Sequence, residues 1–516
     1  MRLPELIAGL AVEALGEGWE SVRVCDLTED SRTAVPGSLF IARAGLKHDG
    51  RAFAAEAVEA GASAILTDDP GLIGRWGSGV PVLVTRDLAV ACGLLAERFH
   101  GNPSSRLGIV AVTGTNGKST VTHLVWRMAN RAGTRCGLIG TVLTDDGREV
   151  ARSSMTTPPA IELSRALASM TDGGCVAAAI EASSHALHQR RTEALVIKVA
   201  VFTNLTGDHL DYHSTMDAYA DAKARLFETL DPSGVAVVNA QDPYAGRVTS
   251  HHRGRRLACS MWGDEAKAED GSEPARARIL SASMEGMRLL LEGPWGSIEC
   301  HVPLIGRYNA MNVLQATAAC HALGISTEGI RSGLSAATAP PGRLEAVGAR
   351  GVDGPRVYVD YAHSDDSLRN VLTAVRGAMR EQPGSGRLWV VFGCGGDKDR
   401  TKRPRMGRAA AELADVVVVT SDNPRSESPG AIIKEILEGV PASRRDKIVV
   451  HPHREQAIAH AVRTADDRDV VVIAGKGHET EQIRAGVDGS LVAHHFDDRE
   501  HAVEALAGRS PGTPDC

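Results

Sequence analysis

The chain carries nine cysteines but no C-x-x-C pair and no histidine cluster at zinc spacing. That dispersal excludes a disulfide framework or structural zinc site and reads as reduced core cysteines of a cytoplasmic protein. A surplus of positive charge is missing too. Lys and Arg number 57 against 64 Asp and Glu, a net −7 at pH 7, without the basic face of a nucleic-acid binder. No apolar run reaches the roughly 18–20 residues that span a bilayer, so neither nucleic acid nor membrane is an expected partner. The stretch MRLPELIAGLAVEALGEGWE has acids within its apolar part and no small-residue cleavage site, so a secretory leader is not expected. Solenoid-length repeats and long low-complexity segments are also absent.

What is present is globular: 516 residues, 43% hydrophobic and 23% charged, enough for two to four domains. The predicted fold class is α/β in three domains. Residues 1–105 alternate short strands (SLFIA, ASAILT, VPVLVT) with helical patterns such as RAFAAEAVEAGA, and FHGNPSSRLG reads as a linker. Residues 106–338 contain nearly continuous Val/Ile/Ala strands, as in a parallel sheet covered on both faces. Within them, about 255–303 alternates and predicts an antiparallel appendage. Beyond ATAPPGRLEAVG, residues 339–510 return to strand–helix alternation in a Rossmann-like pattern, and AGRSPGTPDC reads as a frayed tail.

The strongest chemical signal is GIVAVTGTNGKST, a buried strand running through Gly114, Thr115, Asn116, Gly117, Lys118, Ser119 and Thr120 into an amphipathic helix. Glycines turn backbone N–H groups toward phosphate oxygens, the helix N-terminus adds positive potential, and Lys118 adds a point charge. A Ser119 or Thr120 hydroxyl suits Mg²⁺. Val112 stands where the longer form of this motif has its first glycine, so the loop is a shortened one. It predicts an ATP site. Glu181 lies just past one neighbouring strand, and Asp208 and His209 past the next. Carboxyl ends of parallel strands share an edge, so these groups converge on the loop. By its local pattern Lys223 is an exposed helix lysine.

The motifs TTP, EASSHAL, NLTGDHLDYH, AYADAKARLF, GRYNAMN, PPGRLE, DYAH, GCGGDKD, SDNPR, GKGHE and FDDRE then follow in order. With GTNGKST they make the chain resemble the Mur ligase family over nearly its whole length. The resemblance implies an ATP-dependent amide ligase of cell-wall peptidoglycan synthesis, monomeric and cytoplasmic. Its small-molecule partners would be UDP-N-acetylmuramoyl-L-alanyl-D-glutamate and diaminopimelate, and its cofactors ATP and Mg²⁺. It implies a uridine-nucleotide domain, a central ATPase domain and an amino-acid domain. It further implies that Ser119 and Glu181 hold one Mg²⁺, and His209 and a carbamylated Lys223 a second. Asn309 would contact adenine, with Arg343 and Asp360 on ATP. Ser31, Thr156, Thr157, Ser183, Gln189 and Arg191 would hold the muramyl dipeptide.

Diaminopimelate is lysine with a distal carboxylate. Arg425 offers that carboxylate a bidentate fork, and Asp422 or Glu479 accepts from the distal ammonium. Asn423, Pro424, Gly475 and Lys398 complete the expected pocket; Pro424 and Ser428 also serve a strand-ending turn. Four positions depart from the family pattern: Lys398 for Arg, Gly207 for Arg, Met155 for a polar residue, and Asp365 for Pro. A member adding lysine or another diamino acid is the alternative.

Overall fold

The computed structural model describes every residue except 16–17, 46–47, 74–79, 264–270, 349–353, 382–383, 385, 487 and 510–516. The predicted frayed tail lies largely outside the described residues. Among those described, three main sheets follow one another along the chain. The first has five strands, four of them parallel (Asp26–Thr28, Ser38–Ala42, Ala64–Thr67, Val82–Val84), with Glu13–Leu15 antiparallel at the edge.

The central sheet is built around Gly108–Thr113, flanked in parallel by Ala177–Glu181 and Ile197–Phe202. Its strands are apolar on both sides because both faces are covered. Val110 and Val112 enter one core cluster, while Ile109 and Ala111 enter the cluster on the opposite face. The expected antiparallel appendage is a continuation of this sheet, not a separate unit. Arg255–Met261 pairs in parallel with both Leu230–Asn239 and Glu273–Ser283. Only then do Gly286–Gly293 and Gly296–Val302 add an antiparallel meander. Half-buried alternation, the signal at Arg255–Met261, marks a sheet's margin and is blind to strand direction.

In the third sheet Arg356–Asp360, Val470–Ala474, Leu388–Phe392, Val416–Val419 and Ile448–Val450 are parallel neighbours in that order. Val417 and Val419 enter the cluster on one face and Val418 that on the other. Burying these three side chains contributes roughly 5 kcal/mol. All four motif loops, DYAH, GKGHE, GCGG and SDNPR, therefore leave one carboxyl edge. No described helix is long and apolar enough to cross a membrane.

Candidate active site

At Gly114 the backbone has φ +150, and a Cβ there would stand 1.8 Å from Thr203 Oγ1. Only glycine fits, which lets the loop fold tightly before the helix Lys118–Arg131. Lys118 Nζ donates to the carbonyl oxygens of Gly114 and Thr115, both at 2.9 Å. Burial lowers its pKa. Glu181 is the last residue of its strand rather than the one after it, and is 2% exposed. Its Oε2 accepts from Ser119 Oγ at 3.0 Å and Thr141 Oγ1 at 2.9 Å, and its Oε1 from Thr141 N at 2.7 Å. Thr141 was not singled out by sequence; its only signal is a hydroxyl closing the strand Cys136–Ile139 on the same edge.

Lys223 overturns its local pattern. It is 1% exposed, with Nζ 2.8 Å from Gly114 O and 4.4 Å above the Tyr219 ring. Thr215 caps the helix Met216–Glu228, whose buried stripe includes Tyr219, Lys223 and Phe227 at four-residue spacing. Those flanking aromatics were the signal that the lysine faces inward. Burial holds its pKa well below the usual lysine value, and Lys118 pushes the same way. The His209 ring lies 6.2 Å from the Tyr219 ring. Partial desolvation, helped by Lys118, takes His209 down to about 4 against the opposing pull of Asp208. Two groups whose charged forms burial disfavours thus face one tyrosine.

A cavity of 780 Å³ opens beside the loop, lined by Gly117, Thr120, Asn309, Asn312, Arg343 and Asp360. Asn309 is held by Asn312 Nδ2 at 3.1 Å. From the third sheet's side, Arg343 donates to Ser119 Oγ at 3.3 Å and stacks 4.6 Å from Tyr361. Asp366, absent from the sequence expectations, accepts from Asn116 Nδ2 at 3.1 Å and so joins the loop to the C-terminal segment. Asp360 accepts from Leu344 N at 2.6 Å and Ala362 N at 2.7 Å, while burial raises its pKa to about 6.

Toward the first sheet, Thr157 Oγ1 donates to Glu181 O at 2.6 Å and accepts from Ser183 N at 3.1 Å. Arg191 donates to Thr157 O at 2.6 Å and Gln189 Oε1 at 2.8 Å. Thr156 joins through Thr141 Oγ1 at 3.1 Å. Ser31 instead donates to Glu56 at 3.1 Å, apart from that group. Met155 is 45% exposed with its Sδ 3.2 Å from Arg191 Nη1, and nothing stands within 4 Å of a Cβ at Gly207. Asp365 occupies the first turn of the helix Asp365–Arg380, capped by Ser364.

At the third sheet's edge, Asn423 Nδ2 donates to Glu479 at 3.1 Å. A Cβ on Gly475, at φ +122, would stand 2.5 Å from Asp422 Oδ2, so glycine permits the strand ends to meet. Arg425, at φ +51, donates to Gly396 O at 2.7 Å, and a Cβ on Gly396 would strike Pro424 O at 1.9 Å. Burial, with Asp422 adding, raises the pKa of Glu479. Lys398 is exposed, outside this hydrogen-bonded group. Sequence reasoning missed the supports beneath: Arg403, fully buried between Glu427 and Glu435, which donates to Gly395 O, and Arg454, ion-paired with Asp498 and donating to Ala474 O.

Glu181 with the Ser119 and Thr141 hydroxyls is an all-oxygen set, the chemistry that suits Mg²⁺. Among the described residues no group of three His, Cys, Asp or Glu side chains forms a cage for a metal.

A phosphate loop on a parallel sheet's carboxyl edge, faced across a cavity by a second parallel sheet, defines a nucleotide-dependent enzyme. Three successive family matches sharpen that class. Residues 26–100 match the Mur ligase family catalytic domain, 112–320 the Mur ligase middle domain and 342–477 the Mur ligase glutamate ligase domain. The UDP-N-acetylmuramoyl-L-alanyl-D-glutamate–2,6-diaminopimelate ligase of Chlorobaculum tepidum is 41% identical, over 97% of this chain and 96% of its own. The protein of the same name from Gloeobacter violaceus is 41% identical over 99% of both. A solved structure with that name superposes at TM-score 0.68 and 31% identity, covering 98% of this chain and 99% of its own. The chain belongs to the Mur ligase family of ATP-dependent ligases.

Proposed function

We propose that the protein adds diaminopimelate to the D-glutamyl carboxylate of UDP-N-acetylmuramoyl-L-alanyl-D-glutamate, cleaving ATP to ADP and phosphate, as a cytoplasmic monomer. The observation that carries this reading is the convergence of Asp422, Asn423 and Glu479 around Lys476, with Arg425 on the same loop, in the segment whose Arg343 and Asp366 reach the phosphate loop. It agrees with the activity named in the full-length relatives.

Residues 1–105 would hold the uridine end, 106–338 the ATP and 339–510 the incoming amino acid. Thr156, Thr157, Ser183, Gln189 and Arg191, with Ser31 from the first domain, would orient the dipeptide. Asn309, Arg343 and Asp360 would seat the nucleotide in the cavity, and the loop Gly114–Thr120 its phosphates. Lys118 would move from the loop carbonyls onto phosphate oxygens. There it stabilises the charge that develops as the D-glutamyl carboxylate attacks the γ-phosphorus and ADP leaves. The amine of diaminopimelate then attacks the acyl phosphate, giving the amide and releasing phosphate.

Mg²⁺, when bound, would neutralise phosphate charge. Ser119 and Glu181 would hold one ion; His209 and Lys223, as a carbamate, would hold a second. Burial disfavours the ammonium form of Lys223, which favours capture of CO₂ and so an oxygen ligand. Arg425 would take the distal carboxylate, and Asp422 and Glu479 the distal ammonium. Lys398 would serve the amino acid's own carboxylate as a point charge.

Purified protein, UDP-muramyl dipeptide and ATP, challenged with an amino-acid panel, test this directly. Diaminopimelate-dependent release of ADP and phosphate is expected. Release of AMP and pyrophosphate, or lysine used as readily as diaminopimelate, would overturn it.

A further inference from the structure

Lys476 lies between the glycines of GKGHE, where a turn lysine would normally send its ammonium into water. It has no exposed surface. Its Nζ donates to Asn423 Oδ1 at 2.9 Å and stands 3.5 Å from Glu479 and 3.9 Å from Asp422. A cation is therefore built into the same knot of acids that the incoming amino acid must engage. Asp422 and Glu479 bring two negative charges, Lys476 one positive charge and Arg425, on the reading above, a second, while Arg454, which also acts on both acids, is balanced by its own partner Asp498. A zwitterionic head adds one of each and leaves the pocket balanced. A lone ammonium leaves an uncompensated positive charge, a lone carboxylate a negative one, and either is unfavourable in a poorly solvated site.

We propose that Lys476 is a specificity-determining residue, whose buried charge makes the pocket take a zwitterionic distal head and reject singly charged ones. This rests on the reading that diaminopimelate enters this pocket. It differs from recognition by Arg425 because Lys476 reads the head's total charge rather than one of its groups.

Three amino acids of like chain separate the possibilities: diaminopimelate, lysine with a distal ammonium alone, and 2-aminopimelate with a distal carboxylate alone. For the unsubstituted protein, kcat/KM for both singly charged acids is expected to fall at least about tenfold below that for diaminopimelate. In Lys476→Met and Lys476→Gln the pocket gains a net negative charge. Relative to diaminopimelate, lysine then improves about tenfold while 2-aminopimelate worsens by a similar factor. The Gln variant keeps a donor for Asn423, so it isolates the charge. Opposite shifts are a signature that general loosening cannot mimic. Ratios that stay fixed, or move together, overturn the proposal. So does unsubstituted protein that uses 2-aminopimelate as well as diaminopimelate, a result that needs no variant to fold. Failure of the unsubstituted protein to ligate diaminopimelate at all overturns instead the reading of the reaction, and this inference with it.

Discussion

Two buried lysines, in different domains, show how one residue type is put to opposite uses. Lys223 meets a backbone carbonyl and a tyrosine face, with the cation of Lys118 nearby, and its pKa is driven well down. Lys476 is enclosed by Asn423, Glu479 and Asp422. Around Lys223 desolvation and Lys118 outweigh the pull of Asp208 and disfavour the ammonium; around Lys476 two carboxylates and an amide oxygen stand within 4 Å of it. Around each lysine the surroundings follow suit. Backbone groups and hydroxyls build the loop proposed to accept highly charged phosphates. Paired side-chain charges build the pocket proposed to read a zwitterionic head.

This contrast is open to direct attack. Lys118→Ala is expected to lower kcat on the order of 10³-fold, with KM for diaminopimelate little changed; steady-state kinetics beside a melting curve would show whether the loop is responsible. Lys223→Ala is expected to cost on the order of 10²-fold in rate, recovered in part by short-chain carboxylic acids that replace a carbamate. Mass spectrometry of the intact protein should find one CO₂ on Lys223. Neither result would be expected if the amine served only as a hydrogen-bond donor to Gly114.

Arg425→Ala acts on the other side of the comparison. KM for diaminopimelate should rise about tenfold or more while KM for ATP holds. A parallel rise in both would mean that the two regions are not separable.

The smallest effect concerns Asp360, between the regions. Its folded pKa of about 6 lies above the ordinary 3.8, so the native state binds this proton more tightly than the unfolded chain. The stability it contributes is complete below 3.8 and is lost as pH rises through about 6. Between about pH 5 and 7.5, unfolding free energy should therefore fall on the order of 1 kcal/mol further in the unsubstituted protein than in Asp360→Asn. Chemical denaturation at the two pH values measures it.

Contiguous chemistry is legible in the sequence. Gly114–Thr120 is one unbroken strand–loop–helix signal, and Glu181 ends, and His209 follows, an apolar strand, the two strand ends sharing an edge. Asp422 and Arg425 stood out because a turn needs neither. What escaped was burial imposed from a distance. Lys223 looks like any surface helix lysine until Tyr219 and Phe227 are seen to turn the same way. Lys476, between two glycines, looks like a loop residue. Arg403 and Arg454 sit in helices rich in other arginines and charges, and only packing shows that they are the ones without solvent. Thr141 and Asp366 acquire meaning through Glu181 and Asn116, each distant in sequence.

By itself, then, the sequence determined the elements and their order: which strands are covered on both faces, where the glycine-rich loop opens its helix, and which acids and cations end the strands. Periodicity and turn chemistry act within a few residues, so the chain's own order carries them. Tertiary structure decided which lysines lose their water, which hydroxyls reach Glu181, and whether Arg255–Met261 runs parallel or antiparallel to its neighbours. Those outcomes depend on groups far apart in the chain, and desolvation and charge balance belong to the assembled site.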